Sequence, residues 1–228
     1  MKALISIFIG LLVTILGVCA QEVRMIEFSV YAQYALQDVE YSPVDESAIA
    51  AGASPAENLK IKSHILTRTG PYTFSGLNEI TFTNIETQST VAHVKIPPSS
   101  NRWLLIFVKN PHYKNDPSNQ LPYLVYPFNE NISNLPFNGL VFINFAGSEL
   151  GIFLGEIRTR IAIGESELVR VDGATPTKIW MQSNDRKRIL QAHSKTYNFE
   201  TGKRNLMILF PPVLRGSSSI DVRLLTDE

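Results

Sequence analysis

The stretch TVAHVKIPPSSNRWLLIFVKNP, Thr90–Pro111, has a counterpart in LQAHSKTYNFETGKRNLMILFPP, Leu190–Pro212. Both contain Ala-His-x-Lys, continue through a polar spacer and enter an apolar run through Arg-x-Leu. The offset between matched residues drifts only from 99 to 102, and it changes in the loops between the runs. Because loops tolerate insertions, whereas a one-residue slip would turn a strand inside out, the repeat predicts a fold unit that occurs twice. The matched positions are Ile80 and Ile179, Ala92 and Ala192, His93 and His193, Lys95 and Lys195, and Arg102 and Arg204.

Period-two alternation of apolar and polar residues dominates the rest of the chain. Every even position from Ile26 to Leu36 is apolar, while the odd positions include Glu27, Ser29 and Gln33. Short segments of this kind recur about every 10 residues between clusters of Gly, Pro, Asn, Asp and Ser. The sequence therefore predicts an all-β protein: two tandem antiparallel β-sandwich units, or one elongated sandwich.

The repeat places the unit boundary in FNENISN, Phe128–Asn134, which gives units of residues 22–127 and 128–228. The runs LLIFV and LMILF are apolar at every position, which indicates strands covered on both faces. Packing in a central core or between the two units would provide that cover. Three other segments are predicted to be turns or loops: RTGPYT, GSELGIFLG and DESAIAAGASPAEN. The last, which is Ala-rich, could form a helical turn, but its Gly and Pro favour a loop.

The first 20 residues have the pattern of an export signal. Lys2 is followed by a continuous apolar stretch, and small residues precede a cleavage site after Ala20. We therefore expect a periplasmic or secreted protein without a transmembrane segment after cleavage. An uncleaved anchor and lipidation through Cys19 are the alternatives, although Val18 is too bulky for a good lipoprotein signal. Cleavage would leave a chain without cysteine, whose stability rests on its core.

Charge and motifs exclude several classes of function. Lys and Arg together number 21, as do Asp and Glu, so the basic surplus that nucleic-acid binding requires is missing. We expect no metal or other cofactor, because the histidines lack ligand spacing and no zinc motif is present. His93 and His193 are instead predicted to lie on the solvated faces of their strands. No G-x-S-x-G or S-x-x-K motif supports an enzyme, although two carboxylates from distant strands could still form a hydrolase site.

Aromatic residues offer the remaining candidates for a binding site. Trp103 and Trp180 fall within predicted strands and are expected to be buried. Tyr113 and Tyr197 are predicted to lie in polar loops, where an exported β-sandwich could use them to stack on sugars. They are the candidate ligand-contact residues.

The second half contains LPFNGLVFINFAGSELGIFLGE, KRNLMILFPP and DVRLLTDE. These motifs resemble a loosely defined group of uncharacterised exported bacterial β-sandwich proteins. The resemblance covers residues 136–228 and implies export and β architecture, and it transfers no functional residue. The leading hypothesis is an exported, non-enzymatic module of the bacterial envelope or secretome that binds a protein or glycan or has a structural role. A carbohydrate-binding β-sandwich is the alternative, and a hydrolase with dispersed carboxylates comes third.

Overall fold

The computed structural model describes residues 22–113, 120–164, 166–182, 188–214 and 217–227. The predicted signal peptide, residues 1–20 with Cys19, lies outside the described residues. Within them the chain is all-β, with sixteen strands and one short helix. None of the described helical segments has the length and apolarity needed to cross a membrane.

The strands fall into two sets of eight. The first set is β1 (Arg24–Ala32), β2 (Val39–Tyr41), β3 (Leu59–Lys60), β4 (Thr69–Gly76), β5 (Glu79–Asn84), β6 (Thr90–Lys95), β7 (Arg102–Lys109) and β8 (Tyr123–Asn129), with helix α1 (Glu46–Ala50) between β2 and β3. The second set is β9 (Gly139–Asn144), β10 (Leu150–Leu154), β11 (Ile157–Ile161), β12 (Ser166–Arg170), β13 (Gly173–Gln182), β14 (Ile189–Phe199), β15 (Arg204–Phe210) and β16 (Asp221–Asp227).

The two sets have the same topology. In the first, the sheet β4-β1-β7-β8 accompanies the sheet β3-β2-β5-β6; in the second, β12-β9-β15-β16 accompanies β11-β10-β13-β14. Adding eight to each label of the first set reproduces the second. Even the one parallel pair recurs, β1 with β7 and β9 with β15, while the other pairs in these sheets are antiparallel. The prediction of tandem sandwich units is confirmed, with a parallel pair in each that alternation did not predict.

Each unit has its own apolar core between its two sheets. In the first, Phe28 and Phe107 from one sheet meet Phe82 from the other. In the second, Phe142 and Met207 belong to the cluster that contains Ile152 and Ile179 of the facing sheet. These residues occupy alternate positions of their strands, so the period-two pattern is the direct source of both cores.

A third apolar cluster joins the two units. The residues of β7 that point away from the first core, Leu104 and Ile106, belong to one buried cluster with Val141 of β9 and Leu206 and Ile208 of β15. The β4-β1-β7-β8 sheet therefore packs on the β12-β9-β15-β16 sheet. This explains why LLIFV and LMILF are apolar at every position: β7 and β15 are buried on both faces, as expected.

Polar groups at the same junction form a chain of ion pairs. Arg68 contacts Glu130 at 2.5 Å and Asp227 at 3.2 Å, and Arg204 binds Asp227 from the other side. The Glu130 side chain is only 3% exposed, so its charge depends on Arg68 for compensation. The network connects the loop before β4 with the open end of the β15–β16 hairpin, where Arg204 and Asp227 are register partners.

Three predictions of irregular structure were wrong. RTGPYT lies largely within β4, an edge strand that bulges opposite β1, and an edge with a bulge is where proline is tolerated in a sheet. GSELGIFLG contains β10, a central strand between β11 and β13. The Ala-rich segment contains α1, because the Asp45 carboxylate caps the helix by accepting a hydrogen bond from the amide of Ala48 at 2.8 Å. The same carboxylate accepts from the amide of Leu77 at 2.8 Å and so connects the helix to the end of β4.

Candidate functional site

Trp180 lies on the outer face of the β11-β10-β13-β14 sheet. Its neighbour Ile179 points into the second core and is 0% exposed, so Trp180 points away from that core and is only partly buried. The prediction that Trp180 is buried was therefore wrong. Trp103, in contrast, is 2% exposed and its indole N–H donates to the carbonyl of Ser100 at 3.0 Å, as expected for a core tryptophan.

A glycine opens the surface beside Trp180. Gly151 of β10 is the register partner of both Trp180 on β13 and Arg160 on β11. A Cβ at position 151 would lie 4.0 Å from the Trp180 Cβ, with no closer neighbour. Gly151 lies in the lining of a depression of about 1080 Å³, here called the Trp180 groove. The residues that define it are Gly151, Phe153, Arg158, Arg160, Trp180 and Ile189.

Aromatic and cationic groups alternate along this surface. The rings of Phe153 and Trp180 meet edge to face, with centroids 6.3 Å apart and an interplanar angle of 67°. The Arg158 guanidinium lies over the Phe153 ring at 5.3 Å, a cation–π contact. Lys178, the other register partner of Phe153, adds a third cation to the face alongside Arg158 and Arg160. The groove is therefore apolar at its centre and positively charged at its rim.

One carboxylate lies among these cations. Glu149 is 3.7 Å from Arg160, and both side chains are strongly exposed, at 61% and 82%. An exposed pair of this kind contributes little and is easily rearranged. Of the described residues that line the groove, Glu149 is the only acid.

The corresponding sheet of the first unit is polar at the equivalent positions. Its β5 residue that matches Trp180 is Thr81, which is exposed and pairs with His93. Glu40 and Thr83 also lie opposite one another across β2 and β5 on this face. The two copies of the fold therefore differ on their outer faces, and the aromatic groove belongs to the second copy.

The matched histidines occupy equivalent strands, β6 and β14, as predicted, but opposite faces. His93 pairs with Thr81 and is exposed, 3.9 Å from Glu79, which agrees with a solvated face. His193 pairs with the core residue Ile179 and is partly buried. The solvated position predicted for His193 was therefore wrong.

Strand register accounts for the difference. Ile80 pairs with Val94, whereas the matched Ile179 pairs with His193, so His193 occupies the register position of Val94. A shift of one residue reverses the face of a side chain. His193 Nε2 lies 3.0 Å from the Tyr197 hydroxyl. Burial, followed by the charge of Lys195, lowers the pKa of His193, and burial raises the pKa of Tyr197.

The two candidate ligand-contact tyrosines lie in different surroundings. Tyr113 is partly buried in the turn after β7, where its amide donates to the carbonyl of Asn110 at 3.3 Å. Tyr197 was predicted to lie in a polar loop, and that placement was wrong. It lies within β14, is 8% exposed and belongs to the second core. Neither tyrosine lines the Trp180 groove.

The sequence contained a signal for the groove. In KIWMQ, Lys178–Gln182, alternation puts Trp180 on the side of Lys178 and Gln182, opposite Ile179. The position of Gly151 beside it depended on β10, which was interpreted as turns. Elsewhere in the described ranges, no cluster of three or more His, Cys, Asp or Glu side chains could hold a metal ion.

Fold and groove together define a class: a tandem β-sandwich protein with an aromatic and cationic groove on one outer sheet. Neither a protein-family model nor a curated protein matches the chain.

Proposed function

We propose that this protein is an exported, non-enzymatic binding module of the bacterial envelope or secretome, and that the Trp180 groove is its binding surface. The observation that carries the proposal is the display of Trp180 and Phe153 around the gap at Gly151. Burial of apolar surface stabilises a protein or complex by about 25 cal/mol per Å², and aromatic surface left in contact with water lacks this stabilisation. Such a patch in a concave surface, rimmed by polar groups, is typical of an interaction site.

The carboxylate content of the groove favours binding over catalysis. Glycoside hydrolysis normally uses two carboxylates that flank the scissile bond. The described lining residues supply Glu149 alone, and Arg160 lies beside it. This supports a module that holds its partner without transforming it.

Export is part of the proposal and has its own test. Mass spectrometry of the mature N-terminus should find a chain that starts at Gln21. A lipid-modified Cys19 would instead mean an envelope anchor, and an intact Met1 would contradict export with cleavage.

The binding surface can be tested by site-specific photocrosslinking in the producing cell. A benzoylphenylalanine at Gln191, the exposed register partner of Trp180 on β14, should give a discrete adduct. The matched control is Thr81 on the first unit, which is exposed at the position equivalent to Trp180. Adducts of equal yield at both positions, or none at 191, would show that the groove is not the binding surface.

A carbohydrate-binding sandwich is the second candidate. Trp180 favours it, because an accessible indole beside a residue without a side chain can accept the flat face of a sugar ring. Retention of the protein on polysaccharide, with no protein adduct in the crosslinking experiment, would select this candidate over a protein partner.

A further inference from the structure

We propose that the Trp180 groove binds an acidic polysaccharide, with a sugar ring on Trp180 and sugar carboxylates on Arg158 and Arg160. The inference rests on the proposed function, because it requires the groove to be a binding surface. It adds the chemical class of the ligand, which neither the fold nor the sequence motifs provide.

The first step is the space beside Trp180 that a sugar ring would occupy. Across the sheet, Arg160, Gly151, Trp180 and Gln191 form one row of register partners. Only Gly151 in this row lacks a side chain, so the indole has free space on one flank. Ile189, 72% exposed, adds apolar surface on the far side of the groove. A sugar ring has an apolar face of C–H groups and polar edges, which suits an apolar floor with polar walls.

The second step is the placement of the charges. Arg158 and Arg160 are two residues apart on β11 and lie on the same face, so their Cα atoms are separated by about 7 Å. β11 is the edge strand of the sheet, which leaves the groove open along that side. An extended polymer can therefore continue past both guanidinium groups. Each group offers a planar fork of donors that matches a carboxylate.

The third step is the sign of the charge on the outer face of the β11-β10-β13-β14 sheet. Among the residues that the structure describes, the outer face carries Arg158, Arg160 and Lys178, against Glu149 within the groove and Glu156 in the turn between β10 and β11. The protein as a whole has a formal net charge of +0. A local positive surplus on a neutral protein favours a partner with spaced negative charges over a dense polyanion such as nucleic acid. Carboxylates at intervals along a sugar chain have this property.

The experiment compares polygalacturonate with its fully methyl-esterified form, by affinity electrophoresis and titration calorimetry at low salt on the full exported chain. The two polymers share a backbone, and esterification replaces each carboxylate by a neutral methyl ester. We expect binding of polygalacturonate at least about tenfold tighter than binding of the ester, and weakened by added salt.

Variants connect the binding to the groove. Arg158→Gln with Arg160→Gln should reduce affinity for polygalacturonate by about tenfold or more and reduce affinity for the ester by a smaller factor. Trp180→Ala should weaken binding of both polymers. The matched control is Arg102→Gln on β7, an exposed arginine 3.8 Å from Glu27, much as Arg160 lies beside Glu149. It should bind as the wild type does, and melting temperatures confirm that each variant is folded.

The outcomes separate this inference from the proposed function. Equal binding of both polymers, lost in Trp180→Ala, would overturn the acidic ligand and keep the groove as a glycan site. Binding unaffected by Trp180→Ala, or no binding of either polymer, would overturn the glycan assignment, while the crosslink at 191 would still decide whether the groove binds a partner. Equal affinity for a single-stranded oligonucleotide would also overturn it, because the cations would then select only for charge.

Discussion

His193 and Tyr197 lie four residues apart on the same face of β14, with the imidazole Nε2 3.0 Å from the phenol oxygen. Burial lowers the pKa of His193 from its ordinary value of 6.5, and the nearby Lys195 ammonium lowers it further. The folded protein therefore holds this histidine neutral at pH values where the unfolded chain already binds a proton.

This relationship predicts the sign of a pH effect. Well above pH 6.5, His193 is neutral in both the folded and the unfolded state, so its contribution to the free energy of unfolding does not change with pH. As the pH falls through 6.5, the unfolded chain binds the proton first, so the free energy of unfolding decreases. His193→Asn should flatten the dependence of urea midpoints between pH 7.5 and 5. An unchanged slope in His193→Asn would contradict the prediction.

Gly151→Leu should fill the Trp180 groove without unfolding the protein. A Cβ at this position meets no atom closer than 4.0 Å, so we expect a melting temperature within a few degrees of the wild type, measured by calorimetry. Crosslinking from Gln191 and retention on polygalacturonate should both be lost. Gly139→Ala is the contrast: its Cβ would lie 2.7 Å from the Pro136 carbonyl oxygen and should destabilise the fold. Unchanged binding by Gly151→Leu would argue against the groove.

Removing the charge of Glu130 should weaken the junction between the units. Glu130→Gln leaves Arg68 with a neutral partner and should lower the free energy of unfolding by about 2 kcal/mol, measured in urea. Glu79→Gln, at a carboxylate that is 59% exposed, should change it by less than about 0.5 kcal/mol. A double-mutant cycle with Arg68→Met isolates the pair, and a coupling energy near zero would refute a structural role for it.

The cluster between the units should make them unfold together. Ile106→Ala removes a side chain that is 0% exposed and should destabilise the protein by about 2–5 kcal/mol. Ile157→Ala, at a position that is 43% exposed, is the matched control and should have a much smaller effect. Calorimetry should show one transition for the wild type. Two separate transitions, with only the first-unit transition shifted by Ile106→Ala, would contradict cooperative packing of the units.

The sequence was sufficient for the all-β class and the duplicated unit because alternation and the repeat survive in both copies, but neither predicted the strand order or the parallel pair within each unit. It failed at β4 and β10, where glycine and proline lie inside strands because a bulge or an open flank accommodates them. The alternation around Lys178 and Gln182 predicts that Trp180 faces away from the core, but the groove also requires Gly151 on the neighbouring strand β10. Gly151 lies beside Trp180 because of the register between β10 and β13, which local sequence does not determine. The opposite faces of His93 and His193 follow from strand register: Ile80 pairs with Val94 but the matched Ile179 pairs with His193, a difference of one residue that the sequence repeat does not reveal.

The double burial of β7 and β15 turns the two sandwiches into a stack of four layers. Three intersheet spacings of about 10 Å separate its outermost layers by about 30 Å. The Trp180 groove lies on the outer surface at one end of this stack, and the polar surface around Thr81 lies at the other end. A polymer bound at Trp180 would cover one end of the stack, so the surface around Thr81 at the other end would remain accessible to a second partner.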